Sequence, residues 1–202
     1  TKNITTGEGG MVISKHKNKI DDIKIMALHG LSADAWKRFS DAGHKHYYVT
    51  RCGYKYNMMD LQAAMGMHQL KKIGVFRKRR ECIWNKYIES FKDLGIGLPA
   101  EVEAETKHAY HLFNIRINPD TTVINRDQFL EKMVASKLGV GVQYLSIPEH
   151  PYYQNAFGWN PTDYPHALKH GQETVSLPLS AKLTDQDIDD VISTVKNISA
   201  GN

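Results

Sequence analysis

Lys2-Asn3-Ile4-Thr5-Thr6-Gly7-Glu8-Gly9-Gly10 stands at the head of a 202-residue chain. A glycine-rich turn exposes its backbone and lets a ligand approach closely. A lysine at the edge of such a turn can be a phosphate contact, a Schiff-base amine or an ordinary solvated side chain. A Walker A loop is excluded, because no Gly-Lys-Ser or Gly-Lys-Thr follows the glycines. The stretch has the character of an active-site loop rather than of a domain's leading edge. Gly10–Ser14, directly after it, reads as a short strand.

Working outward, Asn18 is placed to cap a helix with Ile20, Ile23, Ala27 and Leu28 on one face, ended by Gly30. Residues 33–48 are polar and aromatic without a period, and read as a long loop. Gly53-Tyr54-Lys55-Tyr56-Asn57 then leads into a helix with Leu61, Ala64, Met65, Met67, His68 and Leu70 at helical spacing. Lys55 and Asn57 put a cation and an amide beside a helix N-terminus, where anions are favoured. The plainer reading is that Asn57 caps the helix and Asp60 complements its dipole. Gly74 divides this helix from a second, ending near Leu94, with Val75, Cys82, Ile83, Tyr87, Ile88 and Phe91 as its apolar positions. The spacing predicts strands over His111–Ile117, Gly139–Leu145 and Val175–Leu179. Helices are predicted after Asn125 and Thr184, the last with Ile188, Val191, Ile192 and Val195 inward. Tyr152–Ala167 reads as an irregular loop leading into a short helix. The fold class is α/β, with a small α/β sandwich in the C-terminal part.

Composition narrows the function. Hydrophobic residues make up 41% and charged residues 24%, which excludes a disordered or collagen-like chain. No apolar run approaches the ~20 residues of a membrane helix, so no membrane partner is expected. No apolar signal segment leads the chain, and Cys52 and Cys82 read as reduced thiols of a cytoplasmic protein. The net charge of +4 admits anionic substrates without demanding nucleic acid. The basic run Lys71, Lys72, Arg77, Lys78, Arg79, Arg80 reads as one solvated helix face and not as a nucleic-acid surface. Of the ten histidines, only His166 and His170 have helical i, i+4 spacing, and the glutamate of a zinc-protease motif is missing; no metal site is expected. Gln143–Tyr153, aromatic and polar after a strand, is either an ordered surface loop or the lining of a sugar-like ligand site.

The order and spacing of these segments resemble the DegT/DnrJ/StrS family of PLP-dependent sugar aminotransferases. The resemblance is carried by Lys2 through Gly10 and by Leu28-His29-Gly30-Leu31-Ser32. It continues in Gly53-Tyr54-Lys55-Tyr56-Asn57-Met58 through Ala63-Ala64, Gln69-Leu70 and Arg79-Arg80. His111-Leu112-Phe113, Arg126-Asp127, Pro151-Tyr152-Tyr153 and Ser176-Leu177-Pro178-Leu179 complete it. It covers essentially the whole chain. The Gly-Tyr-Lys-Tyr-Asn form looks most like the branch that forms aminoarabinose.

The resemblance implies a fold-type I, PLP-dependent aminotransferase, of which this chain is the C-terminal part. Lys2 matches the lysine that binds PLP as a Schiff base and then shuttles a proton; a relative with His in that place dehydrates instead. Lys55, with Asn57 assisting, matches the residue that reaches the cofactor phosphate of the other subunit. Glu8, Tyr56, His111, Tyr144 and His150 fall on the substrate side, although Pro148 occupies a slot where many relatives carry His. The implied substrates are a nucleotide-linked keto sugar and an amino-acid donor, typically glutamate, in polysaccharide or surface-glycan biosynthesis. The implied assembly is a homodimer with shared active sites. Residues 1–50 would be the end of the large PLP-binding domain, 51–95 a connecting helix pair and 96–202 the small domain. The large domain would precede Lys2, and without it the chain is expected to be inactive. The alternative is a non-catalytic dimerisation or sugar-binding remnant of the same family.

Overall fold

The structure, a computed structural model, describes residues 2–32 and 48–201. The loop expected over 33–48 lies outside these residues except for Tyr48. Two compact units are formed, one of Ile4–Lys72 and one of Thr1–Asn3 with Ile73–Asn202. Elements of both kinds are present, as the α/β class requires: helices α1 (Lys17–Ala27), α2 (Asp60–Phe91), α3 (Arg126–Ala135), α4 (Pro151–Phe157), α5 (Pro165–Glu173) and α6 (Asp185–Ser199), with strands β1 (Phe113–Arg116) and β2 (Thr174–Leu177).

The larger unit is built on β1 and β2, which pair antiparallel with Phe113 opposite Leu177 and Arg116 opposite Thr174. Single bridges extend the ladder, Gly97 to Arg116 on one side and Gly141 to Ser176 on the other. The strand expected over Gly139–Leu145 is reduced to that one bridge, because Gly139 and Gly141 have little preference for extended pairing. Phe113 and Ile115 point into a core closed by Ile83, Trp84, Tyr87 and Phe91 of α2, by Phe129 and Met133 of α3, and by Ile188, Val191 and Val195 of α6. Phe113 meets the Trp84 and Tyr87 rings edge-on at 4.8 and 5.1 Å. Burying each such ring contributes about 1.5–3 kcal/mol.

The caps explain the helix starts. Asn125 and Gln128 form a reciprocal capping box at α3, and Thr184 and Asp187 form another at α6. Residues 152–167, expected to be mainly irregular, hold α4, a 3-10 turn and the start of α5. Pro151 and Pro165 each occupy a first helical position, where the missing N–H costs nothing and φ is already suited. Gly158, at φ +67°, ends α4 in the left-handed conformation.

The expected helix pair over 51–95 is a correction. Residues 60–91 form one 32-residue helix, α2, with Gly74 inside it. A helix tolerates one interior glycine at about 1 kcal/mol relative to alanine. Ile83, Tyr87 and Phe91 are buried as expected and Arg80 and Trp84 join them, whereas Val75 and Cys82, also expected inward, are exposed.

In the smaller unit, α1 starts two residues early, after His16 rather than Asn18, with no side-chain cap. Its end is as expected: the Gly30 N–H bonds the Ile25 carbonyl at 2.9 Å. The chain then runs antiparallel to residues 48–56, with Thr50 N–H on Gly30 O and Tyr56 N–H on Ala27 O, both at 2.8 Å. Gly10–Ser14 is not a strand. It has no ladder partner among the described residues, and Met11, Val12 and Ile13 are exposed. Asn57 does not cap α2 either; its side-chain oxygen accepts from Lys55 Nζ. The Met59 N–H is taken instead by Gln62 Oε1 at 3.1 Å.

Candidate active site

In the larger unit, Lys2 lines a cleft of ≈ 440 Å³ with Arg80, His111, Gln143 and Ser180, floored by Gly139–Gly141 and the end of β2. Asn3 anchors the lysine's backbone, donating from Nδ2 to the Ala109 carbonyl at 2.6 Å. Lys2 Nζ then lies 3.5 Å from His111 Nε2.

His111 is held from α2. Arg80, only 5% exposed, donates from Nη1 to the carbonyls of Tyr110 and His111 at 3.2 and 3.0 Å. Tyr110 takes a left-handed φ of +49°, which is uncommon for a bulky residue and persists only where its surroundings impose it. Those surroundings are dense. Tyr110 N–H donates to His108 Nδ1, and Tyr110 Oη donates to Glu81 Oε1 at 3.0 Å. Trp84 packs edge-on against both rings. Arg77 lies over the Tyr110 ring and also bonds the His108 carbonyl.

The electrostatics follow from burial and like charge. Desolvation, then the charges of Lys2 and Arg80, hold the His111 imidazole below its ordinary pKa. Burial lowers the Arg80 guanidinium as well. Among the described residues, no carboxylate lines the cleft. Arg80 Nε, His111 Nδ1 and Gln143 Oε1 are buried without hydrogen-bond partners. Buried polar atoms are seldom left unpaired. All three belong to residues that line the cleft with Lys2, and the Lys2 amine and Arg80 guanidinium give that cleft a positive charge suited to an anionic group.

The other expected site residues are distributed as follows. Tyr144 follows Gln143 but is itself 67% exposed, and neither it nor His150 lines the cleft. His150 joins a 3-10 turn (Ile147–Glu149) to α4 and is exposed. Glu8, Lys55, Tyr56 and Asn57 belong to the smaller unit. There the Glu8 carbonyl accepts from Thr6 Oγ1 and from Gln62 Nε2, both at 2.9 Å, leaving its carboxylate exposed. Tyr56 stacks on Tyr54 with ring centres 5.0 Å apart. Lys55 and Asn57 bond to each other.

Arg80 is the residue that sequence reasoning missed, because the basic run around it reads as a solvated face. A signal was present: Arg80, Trp84, Tyr87 and Phe91 share the i, i+4, i+7, i+11 stripe that buries α2. An arginine in register with an apolar stripe needs partners.

The family model for the DegT/DnrJ/EryC1/StrS aminotransferases matches residues 1–196. The protein MJ1066 of Methanocaldococcus jannaschii is 44% identical over 202 residues, all of this chain and 52% of the relative. The spore coat polysaccharide biosynthesis protein SpsC of Bacillus subtilis is 38% identical with the same coverage. The PMP-form of Spr1654 from Streptococcus pneumoniae superposes with a TM-score of 0.83 at 26% identity, over 98% of this chain and 49% of that one. The chain thus spans about half the length of the relatives it matches. A match over residues 1–196, with a fold shared with fold-type I sugar aminotransferases, places this chain in the PLP-dependent DegT/DnrJ/EryC1/StrS aminotransferase family.

Proposed function

We propose that this chain carries the cofactor-bearing lysine of an aminotransferase that moves an amino group, from glutamate, to a nucleotide-linked keto sugar in polysaccharide or surface-glycan biosynthesis. The observation that carries the reading is Lys2 Nζ in a cleft with Arg80 and His111 and no lining carboxylate among the described residues. The name of SpsC, a spore coat polysaccharide biosynthesis protein, supports the glycan context.

When bound, PLP supplies the electron sink for charge developing at the donor's α-carbon. Lys2 Nζ would hold the cofactor, and its amine would take and return the proton at the donor's α-carbon. Arg80 gives the cleft a fixed positive charge that favours anionic groups. Lys55, steadied by Asn57, serves as a point charge for a cofactor phosphate in the second copy of a homodimer. For the sugar nucleotide, the larger unit offers the exposed Tyr144 and His150, with His111 at the cleft, and the smaller unit separately offers the exposed Glu8 and Tyr56. In this reading residues 1–50 close the large domain, 51–95 form the connection built on α2, and 96–202 form the small domain.

The test uses the full-length protein incubated with PLP, reduced with borohydride and mapped by peptide mass spectrometry. The cofactor is expected on Lys2, and amino transfer from glutamate to a panel of nucleotide-linked keto sugars is expected to require it. Labelling of another lysine, or transfer retained in Lys2→Arg, overturns the reading.

A further inference from the structure

Lys2 lies in no helix or strand, and among the described residues no backbone–backbone hydrogen bond involves residues 2–15. A reacting side chain needs a fixed base, because a misplacement of about 1 Å can cost about a hundredfold in rate. Lys2 and Asn3 belong to the larger unit. There the fixed base is supplied by side chains.

Residues 108–111 form a strap whose carbonyls are all taken. Arg77 Nε donates to the His108 carbonyl at 3.1 Å, and Asn3 Nδ2 to the Ala109 carbonyl at 2.6 Å. Arg80 Nη1 donates to the carbonyls of Tyr110 and His111 at 3.2 and 3.0 Å. The two arginines rise from α2, and Asn3 is the residue next to Lys2. The left-handed Tyr110, with its hydroxyl on Glu81, fixes the strap's shape. One rigid strap therefore ties the backbone beside Lys2 to α2.

The Asn3 carboxamide is oriented for donation. Flipping it would set two oxygens 2.6 Å apart at Ala109, so Nδ2 must face the strap. Its Oδ1 is then buried without a partner. An unpaired buried acceptor costs stability, and such costs are retained at functional sites.

We propose that Asn3 and Arg77 are positioning residues for amino transfer. Asn3 moors the backbone of Lys2 to Ala109, and Arg77 steadies the strap at His108. Neither residue lines the cleft, so both act only through the placement of Lys2. This inference rests on Lys2 being the cofactor lysine.

The experiment uses the full-length protein and has two readouts. In the cofactor-free state, nitrogen-15 relaxation of the Lys2 backbone amide is expected to give an order parameter of about 0.85 in wild type. In Asn3→Ala it is expected to fall to about 0.6 or below. With PLP attached and counted by borohydride reduction, kcat per attached cofactor is expected to fall about tenfold in Asn3→Ala. That is the kinetic equivalent of one lost hydrogen bond, and KM for glutamate is expected to be unchanged. Arg77→Met keeps the aliphatic stem and is expected to lower kcat about threefold, because Arg80 still holds the strap. In the Asn3→Ala background it is expected to lower kcat no further, since both residues act through one bond. An unchanged order parameter or an unchanged kcat in Asn3→Ala overturns the inference, as do losses that multiply in the double variant. Wild-type protein that attaches PLP elsewhere than at Lys2 overturns the functional reading instead, so the two failures are distinct.

Discussion

Gly30 and Gly53 pass so close that a Cβ built on Gly53 would stand 2.1 Å from the Gly30 nitrogen. A Cβ on Gly30 would stand 1.8 Å from the Arg51 carbonyl oxygen, and Gly30 is also left-handed at φ +71°. These contacts are backbone on backbone, so no side-chain rotation relieves them. The pairing of residues 26–32 with 48–56, which carries Lys55, depends on this approach.

Gly53→Ala and Gly30→Ala are each expected to destabilise the protein by at least about 2 kcal/mol, through forced separation of the two segments. Gly74→Ala is the control. Nothing lies within 4 Å of its Cβ position and its φ is not left-handed, so a gain of about 1 kcal/mol is expected from helix propensity. Chemical denaturation of the three variants checks both signs.

The starts of α3 and α6 were legible because Asn125 and Thr184 are strong local capping signals. The unity of α2 was hidden by Gly74, whose local penalty is outweighed by the hydrogen bonds on either side of it. The helical nature of residues 151–157 was hidden by Pro151 and the aromatic residues, which read as a loop until Pro151 is seen at a first helical position. At the site, Lys2 and His111 were both named from the sequence, but their adjacency joins residues 109 positions apart. Arg80 was hidden for a different reason. Its charge outvoted its register, and only the burial of Trp84, Tyr87 and Phe91 shows that its side chain points inward.

The Thr184–Asp187 capping box makes the start of α6 acid-sensitive. The Thr184 hydroxyl, followed by its backbone N–H, holds the Asp187 carboxyl below its ordinary value of 3.8. A depressed folded-state pKa contributes stability that is present above 3.8 and is lost as pH falls through the folded value. Melting temperature against pH is expected to fall less steeply on the acid side in Asp187→Asn than in wild type. Parallel acid limbs in the two proteins would remove Asp187 from the account.

Tyr87 sets the opposite limb. Its hydroxyl donates to the Pro178 carbonyl at 2.9 Å. Burial, then the charge of Asp187, raises its pKa well above the ordinary value of 10.0. Because the unfolded chain ionises first, this contribution is intact below 10.0 and is lost as pH rises from there toward the folded value. Tyr87→Phe is expected to cost about 1 kcal/mol at neutral pH, for one unpaired carbonyl. It should also unfold over a shallower alkaline limb than wild type, as read by denaturation across that range.

Lys55 offers a test of the phosphate assignment that is separate from the chemistry at Lys2. Its amine bonds the Asn57 side chain and remains exposed, so its removal leaves no buried group unpaired and little stability is lost. A lysine ammonium binds phosphate as a point charge. Lys55→Ala in the full-length protein is therefore expected to weaken PLP binding about tenfold, as one charge-assisted hydrogen bond converts to affinity. Binding of pyridoxal, which lacks the phosphate, is expected to be unchanged. Asn57→Ala, which frees the lysine without deleting its charge, is expected to cost less than Lys55→Ala. Equal losses for PLP and pyridoxal would trace the effect to the local fold, and no loss for either would assign the phosphate to other residues.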